Sequence, residues 1–368
     1  MPSVVDRRQL LSGIAACVGA PARAGLWREL PDFLRRGFNL PDQIPRRADR
    51  NAPRAALRRM RGLGMTHIRA PVVAEAVLPG FAGAATRGAA LDDMERNLES
   101  WLGLDFAVSV DMHPGKDFSA LLRTDRSQAQ ACLRQGWRDV AARLARWPAS
   151  RVLAEPLNEP ATDDILWRPF VEDLCGELRA LLPATTLIVG PAPYQRLEAL
   201  TRWRPFADAN VVYAVHFYDP LAFTHQGENW DDSSPYTGLG GVPFPLTAEN
   251  AIVTRLVEAA RARGDSAGLE ELRLAAQQNW TPARIAAQFA ALASWRSEHG
   301  VSIIVNEFGA LRFRAPRADR LAWLTAVRIA AEAENFGWAH WSYDGGFGLL
   351  DEKGGFDEGV IRALLPRA

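Results

Sequence analysis

From Phe33 onward the chain alternates short β-branched or apolar runs with longer amphipathic stretches. The runs cover residues 34–40, 66–72, 106–112, 151–157, 186–190, 211–217, 301–307 and 337–342. Between them leucine, alanine and tryptophan recur at three- and four-residue steps, as over residues 51–63, 91–104, 127–147, 164–182 and 281–299. That period marks helices with one buried face. Strand–helix alternation repeated eight times predicts an α/β fold of the closed parallel (β/α)8 barrel type rather than an open sheet. No glycine-rich phosphate fingerprint follows the first run, which counts against a dinucleotide-binding sheet. After the sixth run the alternation lapses for about sixty residues, 219–281, first into Gly/Pro/Asn/Asp-rich sequence and then into a charged helical pattern over 249–276. This reads as an insertion, too short and polar to bury its own core, on the side where barrels build active sites.

Composition narrows the partners. The 368 residues carry 43 basic and 43 acidic side chains, so no polycationic surface for nucleic acid is expected. Arg7 and Arg8, an apolar stretch over 10–20 and Ala22-Arg23-Ala24 have the three parts of an export signal, residues 1–24, of twin-arginine type. Residues 25–368 are then expected as one barrel domain, periplasmic or secreted. Ile14-Ala15-Ala16-Cys17 offers a competing lipoprotein cleavage box that would tether the protein through Cys17. Beyond the N-terminus no apolar run approaches the ~20 residues that span a bilayer. Removing the signal leaves Cys132 and Cys175, either two buried free thiols or a bridge in an oxidising compartment. A monomer without cofactor is expected.

The chemistry lies where the runs end. Side chains just past a barrel strand's C-terminal end point into a common mouth. Here the ends carry His67-Ile68-Arg69, Asp111-Met112-His113, Asn158-Glu159-Pro160, His216-Phe217-Tyr218, Asn306-Glu307-Phe308 and His340-Trp341. Desolvating six ionisable or polar ends on one rim costs energy unless they pair or work. Glu159 and Glu307 follow runs four and seven, nearly opposite in an eight-stranded ring. Opposed carboxylates are what glycosidic cleavage demands: one protonates the departing oxygen, the other attacks or stabilises an oxocarbenium-like centre. A metal site using these carboxylates with His113 and His216 is the rival, although no H-x-H or H-E-x-x-H spacing occurs. Glu155 reads as a deeper, paired acid. His67 and His340 read as packing residues on the opposite strand faces from Arg69 and Trp341.

Asn158-Glu159-Pro160 and Val305-Asn306-Glu307-Phe308-Gly309 resemble the acid/base and nucleophile segments of glycoside hydrolase family 5, the cellulase-type family. Arg36-Gly37-Phe38-Asn39-Leu40 is similar to the family's opening strand. Arg69, His113, Asn158, Glu159, His216, Tyr218, Glu307 and Trp341 fall, in order, on the eight positions that family keeps in its site. The resemblance implies a retaining mechanism with Glu307 as nucleophile, held ionised by Arg69 and Tyr218, and Glu159 as acid/base, oriented by His216. It also implies that Asn158 binds the sugar 2-hydroxyl, His113 contacts sugar hydroxyls and Trp341 forms the floor under a glucose ring. His113-Pro114-Gly115 departs from the two histidines many relatives carry there, which removes one sugar contact.

Phe217, Tyr218, Phe223, Trp230, Tyr236, Phe244 and Trp280 cluster in and around the insertion, with Gln226, Asn229, Asp231 and Asp232 among them. Trp230 and Tyr236 are taken as sugar-stacking candidates and the polar set as hydroxyl partners; others would pin the loop to the barrel. The insertion walls a groove and could close one end of it. The substrate expected is a β-glucan, cut internally at β-1,4 bonds. A β-mannanase, a β-1,3-glucanase, an exo-glucosidase and a non-catalytic polysaccharide-binding barrel remain the alternatives.

Overall fold

A computed structural model describes residues 29–47, 52–231 and 233–366. The export signal, with Arg7, Arg8 and Cys17, lies outside the described residues, as does Asp232. Eight parallel strands close in sequence order: β1 (Arg36–Asn39), β2 (His67–Val73), β3 (Ala107–His113), β4 (Val152–Glu155), β5 (Leu187–Val189), β6 (Val211–Phe217), β7 (Ser302–Phe308) and β8 (Gly337–His340). Among the described residues, no helix is long and apolar enough to cross a membrane.

The strands are buried on both faces, which is why they read as near-continuous apolar runs. Their outer faces pack on helices such as Ala84–Leu102, Arg126–Leu144 and Asp164–Leu181, in each of which the buried residues, Trp101, Trp137 and Trp167 among them, recur at the three- and four-residue steps predicted. Inside, Leu30, Leu34, Leu153, Ile188, Val212, Ala214 and Ile304 form an apolar plug. The single turn Asp32–Leu34 closes that end, and Gly337 is required there because a Cβ would stand 2.4 Å from the Leu34 carbonyl oxygen.

Polar side chains occupy the interior beyond the plug. Asn39, Arg69, Ser109, Asp111, Glu155 and Asn306 are all fully buried. Arg69 stands third in β2, not at its end, in register with Asn39 and Ser109. Two-residue alternation therefore puts His67 on the same inward face as Arg69, correcting the expectation of opposite faces. His67 shares a 2.9 Å hydrogen bond with Ser109 Oγ and is a packing residue nonetheless. His340 meets the Phe347 carbonyl instead.

One irregularity shapes the mouth. Between β6 and β7 the register slips: Val215 pairs with Val305, but His216 pairs with Glu307. Asn306 is the extra residue of a bulge, a device that re-aims side chains. Strict alternation would face Asn306 and Glu307 oppositely, whereas here Asn306 reaches Glu155 while Glu307 reaches Arg69 and Tyr218.

Segment 219–281 leaves β6 and returns through the bridge Leu246–Trp280 into the helix Pro282–His299. Its charged part is a pair of helices, Ala251–Ala262 and Ser266–Gln277. Phe223, Phe244 and Trp280 are buried, Trp280 in ring contact with Phe217 at the end of β6, each stabilising the attachment by roughly 1.5–3 kcal/mol of apolar burial. Cys132 and Cys175 are both free; Cys175 is buried, but Cys132 is only half-buried, short of the full burial expected.

Candidate active site

The barrel mouth holds a cleft of about 680 Å³ lined by His113, Asn158, Glu159, His216, Tyr218, Glu307, Trp230 and Trp341. Arg69 lies beneath them, fully buried. Its guanidinium is used on every side. Nε and Nη2 donate to Glu155 at 2.8 and 3.0 Å, Nη1 donates to Glu307 Oε1 at 2.5 Å, and Asn39 Oδ1 and Asn158 Oδ1 each accept at 2.9 Å. Asp111 stands 3.5 Å away. Burial opposes the charge on Arg69, yet Asp111, Glu155 and Glu307 outweigh it and hold its pKa well above the usual arginine value. Glu155 is thus the buried, paired acid its position predicts, and Asn306 adds two further bonds of 3.0 Å to it.

Glu307 receives Arg69 on one oxygen and the Tyr218 hydroxyl, at 2.9 Å, on the other. Burial and the adjacent Glu307 charge drive the Tyr218 pKa well above its usual value, so the hydroxyl remains a donor. Glu159 is placed differently. Its side chain is 32% exposed, no arginine among the described residues bonds to it, and it accepts from or donates to His216 Nδ1 at 2.7 Å. Burial in the mouth lifts its pKa to about 7, although His113, Arg69 and Arg196 pull the other way. The two carboxyl groups therefore hold unlike environments, Glu307 enclosed by Arg69 and Tyr218 as donors and Glu159 partly open beside His216.

His216 Nδ1 is also 3.5 Å from Glu307 Oε2. Burial lowers its pKa to about 4, against the pull of Glu307, so the ring is neutral at neutral pH. His113 behaves oppositely. Burial disfavours its charge, but Asp111 at 2.9 Å more than offsets this and raises its pKa. The His113 ring stacks on Trp341, with centroids 5.6 Å apart at 12°. Among the described residues, one set of side chains could gather round a cation: atoms of Glu159, His216 and Glu307 lie within 4.8 Å of one another. This set is the carboxylate pair with its histidine, and His216 Nδ1 is already engaged by Glu159.

The insertion contributes less than expected. Trp230 is 49% exposed and lines the cleft. Tyr236 does not line it: its ring is partly buried against the core and its hydroxyl donates to Glu271 at 3.1 Å, so it fastens the insertion. Gln226 is fully buried and bonds the Phe223 and Val242 backbone, and Asp231 caps the turn at Ser233. Neither is placed as a hydroxyl partner, while Asn229 is exposed.

Several residues of the site carried no assigned role in the sequence. Asp111 and Asn306 were visible only as polar strand ends, and Asn39 only within the segment Arg36-Gly37-Phe38-Asn39-Leu40. His225, from the start of the insertion, lines the cleft in ring contact with Tyr218, Trp230 and Phe347. Tyr194 and Gln195 follow β5, where no periodic signal exists.

The family model described as cellulase, glycosyl hydrolase family 5, matches residues 48–346. Over 249 residues the chain is 29% identical to endoglucanase 3 of Fibrobacter succinogenes, covering 62% of this chain and 35% of that protein. Over 150 residues it is 27% identical to endoglucanase C of Acetivibrio thermocellus, covering 39% of this chain and 43% of that one. The matched stretch spans less than half the length of these curated relatives. Among solved structures, the clostridial cellulose synthase subunit Z from Clostridioides difficile aligns with a TM-score of 0.71 at 21% identity, covering 90% of this chain and 99% of that one. An endoglucanase from Thermotoga maritima aligns with a TM-score of 0.69 at 21% identity, covering 90% and 97%. At that identity the structural likeness speaks for the barrel.

Proposed function

Because the chain belongs to glycosyl hydrolase family 5, the cellulase family, we propose that it is a retaining glycosidase cutting internal β-1,4-glucosidic bonds of a β-glucan. The carrying observation is that one carboxyl oxygen of Glu159 and one of Glu307 come within 4.8 Å of each other across the mouth, with His216 between them. Double displacement uses a separation of about 5–5.5 Å, whereas inversion leaves room for a water at about 6.5–9.5 Å.

In the first step Glu307, aimed by hydrogen bonds from Arg69 and Tyr218, attacks the anomeric carbon while Glu159 passes its proton to the leaving oxygen. A pKa of about 7 supplies that proton near neutrality. Once Glu307 is an ester its negative charge is gone, so Glu159 releases protons more readily and acts as base on the incoming water. That water attacks the same carbon, and Glu307 leaves as carboxylate. Neutral His216 orients Glu159 from one side. Asn158 Oδ1 is committed to Arg69, which turns its Nδ2 into the donor for a sugar 2-hydroxyl. Trp341, stacked on His113, offers the apolar floor, and Trp230 extends the groove.

Acting on a polysaccharide suits an exported monomer, and the Arg7–Arg8 signal supports folding before export. Purified protein is to be tested on carboxymethyl cellulose, barley glucan, laminarin, mannan and xyloglucan with product sizes recorded. Short oligosaccharide mixtures from the first two are expected. Release of a single terminal unit, or cleavage of laminarin or mannan alone, contradicts the reading.

A further inference from the structure

We propose that Gln195 is a positioning residue that fixes the acid/base Glu159 and ties it to the frame holding Glu307; this rests on the glycosidase reading above. Glu159 has a φ of +41°, a left-handed conformation that a non-glycine residue keeps only when its surroundings impose it. Asn158 and Glu159 are adjacent in sequence yet both line the cleft, and this local twist accompanies that placement. Something must hold it.

The Glu159 backbone N–H donates to Gln195 Oε1 at 2.8 Å. The other end of the same amide, Gln195 Nε2, donates to Glu155 Oε1 at 3.1 Å. Glu155 in turn accepts two bonds from Arg69, which holds Glu307. One fully buried side chain thus joins the backbone of the acid/base to the ion-paired platform under the nucleophile. Its main chain does similar work on the next strand, since the Gln195 carbonyl accepts the His216 N–H at 2.9 Å. Gln195 therefore touches the backbone of both members of the 2.7 Å pair Glu159–His216.

Two further observations make the placement specific. Tyr194 and Gln195 both have positive φ, +59° and +51°, so the loop after β5 adopts two consecutive left-handed residues to turn this side chain inward. A Cβ at Gly190 would stand 2.5 Å from Gln195 Cγ and Nε2, so the glycine leaves the space that the amide fills. The site needs an acceptor toward Glu159 and a donor toward Glu155 at one length, which glutamine supplies. Methionine has the length without the bonds. Glutamate supplies both functions only when protonated, because ionised it would oppose Glu155.

The test compares wild type, Q195M and Q195E on 2,4-dinitrophenyl β-cellobioside, whose leaving group needs no proton, and on phenyl β-cellobioside, whose leaving group does. Loss of kcat/KM on the phenyl substrate should exceed loss on the dinitrophenyl substrate by roughly 10- to 100-fold in Q195M, the scale of a misplaced catalytic group. Q195E should recover toward wild type as pH falls, through protonation of its own carboxyl. Equal losses on both substrates with no recovery, or no loss, would overturn the proposal. Should wild type cleave neither substrate, the β-1,4-glucanase reading fails separately. Carboxyl NMR of Glu159 then judges Gln195: its midpoint should fall from about 7 toward the 4.5 of an exposed glutamate in Q195M, and an unchanged midpoint contradicts the role.

Discussion

His216 Nδ1 lies 2.7 Å from Glu159 Oε1, and the two groups titrate in opposite directions from their usual values, histidine down to about 4 and glutamate up to about 7. Between those values the histidine is neutral and the glutamate carries a proton, so the pair shares one hydrogen without an ion pair. The basic limb of kcat/KM should therefore have its midpoint near pH 7 and belong to Glu159. A pH profile on a substrate with a poor leaving group checks it, and the limb should vanish with dinitrophenyl glycosides.

Replacing Glu159 by alanine should slow turnover of poor-leaving-group substrates by about 10²- to 10⁴-fold, the usual weight of a general acid. The first step with a dinitrophenyl glycoside should be spared, and azide should restore turnover by replacing water without base help. Steady-state rates with and without azide, and the glycosyl azide product, report this.

Glu159 also makes a statement about stability. Its folded pKa of about 7 exceeds the 4.5 of an exposed glutamate. Its contribution is fully present below about 4.5 and is lost as pH rises through about 7, because the unfolded chain ionises more easily. Glu159→Gln should consequently raise Tm at pH 8 and change it little at pH 4. Thermal melts at the two pH values decide it.

Arg69 is the opposite case. Removing it strands Glu155, Glu307 and Asp111 as buried acids around an empty site. Arg69→Ala should destabilise by about 3–5 kcal/mol, the cost of breaking a buried ion pair from one side. Denaturant unfolding of the variant measures it, and a loss below 1 kcal/mol would argue against the platform described.

Trp230→Ala should raise KM for longer oligosaccharides by roughly 2- to 10-fold, corresponding to about 0.5–1.5 kcal/mol of ring stacking. Tyr236→Phe should leave KM unchanged, since its hydroxyl serves Glu271. Kinetics on cellotriose through cellohexaose separate the two.

Much of this was legible in the chain. Strands buried on both faces leave apolar runs, so all eight were visible, with ends displaced by a few residues because the runs continue into buried loops. The rim residues were readable because polar side chains at strand ends have few other uses. What escaped depends on local backbone geometry. The bulge at Asn306 reverses a face that alternation would assign, and Gln195 acts through a loop conformation that no periodicity encodes. Tyr236 and Gln226 misled because aromatic and amide groups that fasten a loop look, in sequence, like those that bind sugar.

The central claim is that Glu307 bonds covalently to the substrate. Incubation with 2,4-dinitrophenyl 2-deoxy-2-fluoro-β-cellobioside should add one fluorocellobiosyl group per chain by mass spectrometry, with the label on the peptide containing Val305-Asn306-Glu307. A label on another residue, or cleavage that proceeds with inversion at the anomeric carbon, would contradict the account.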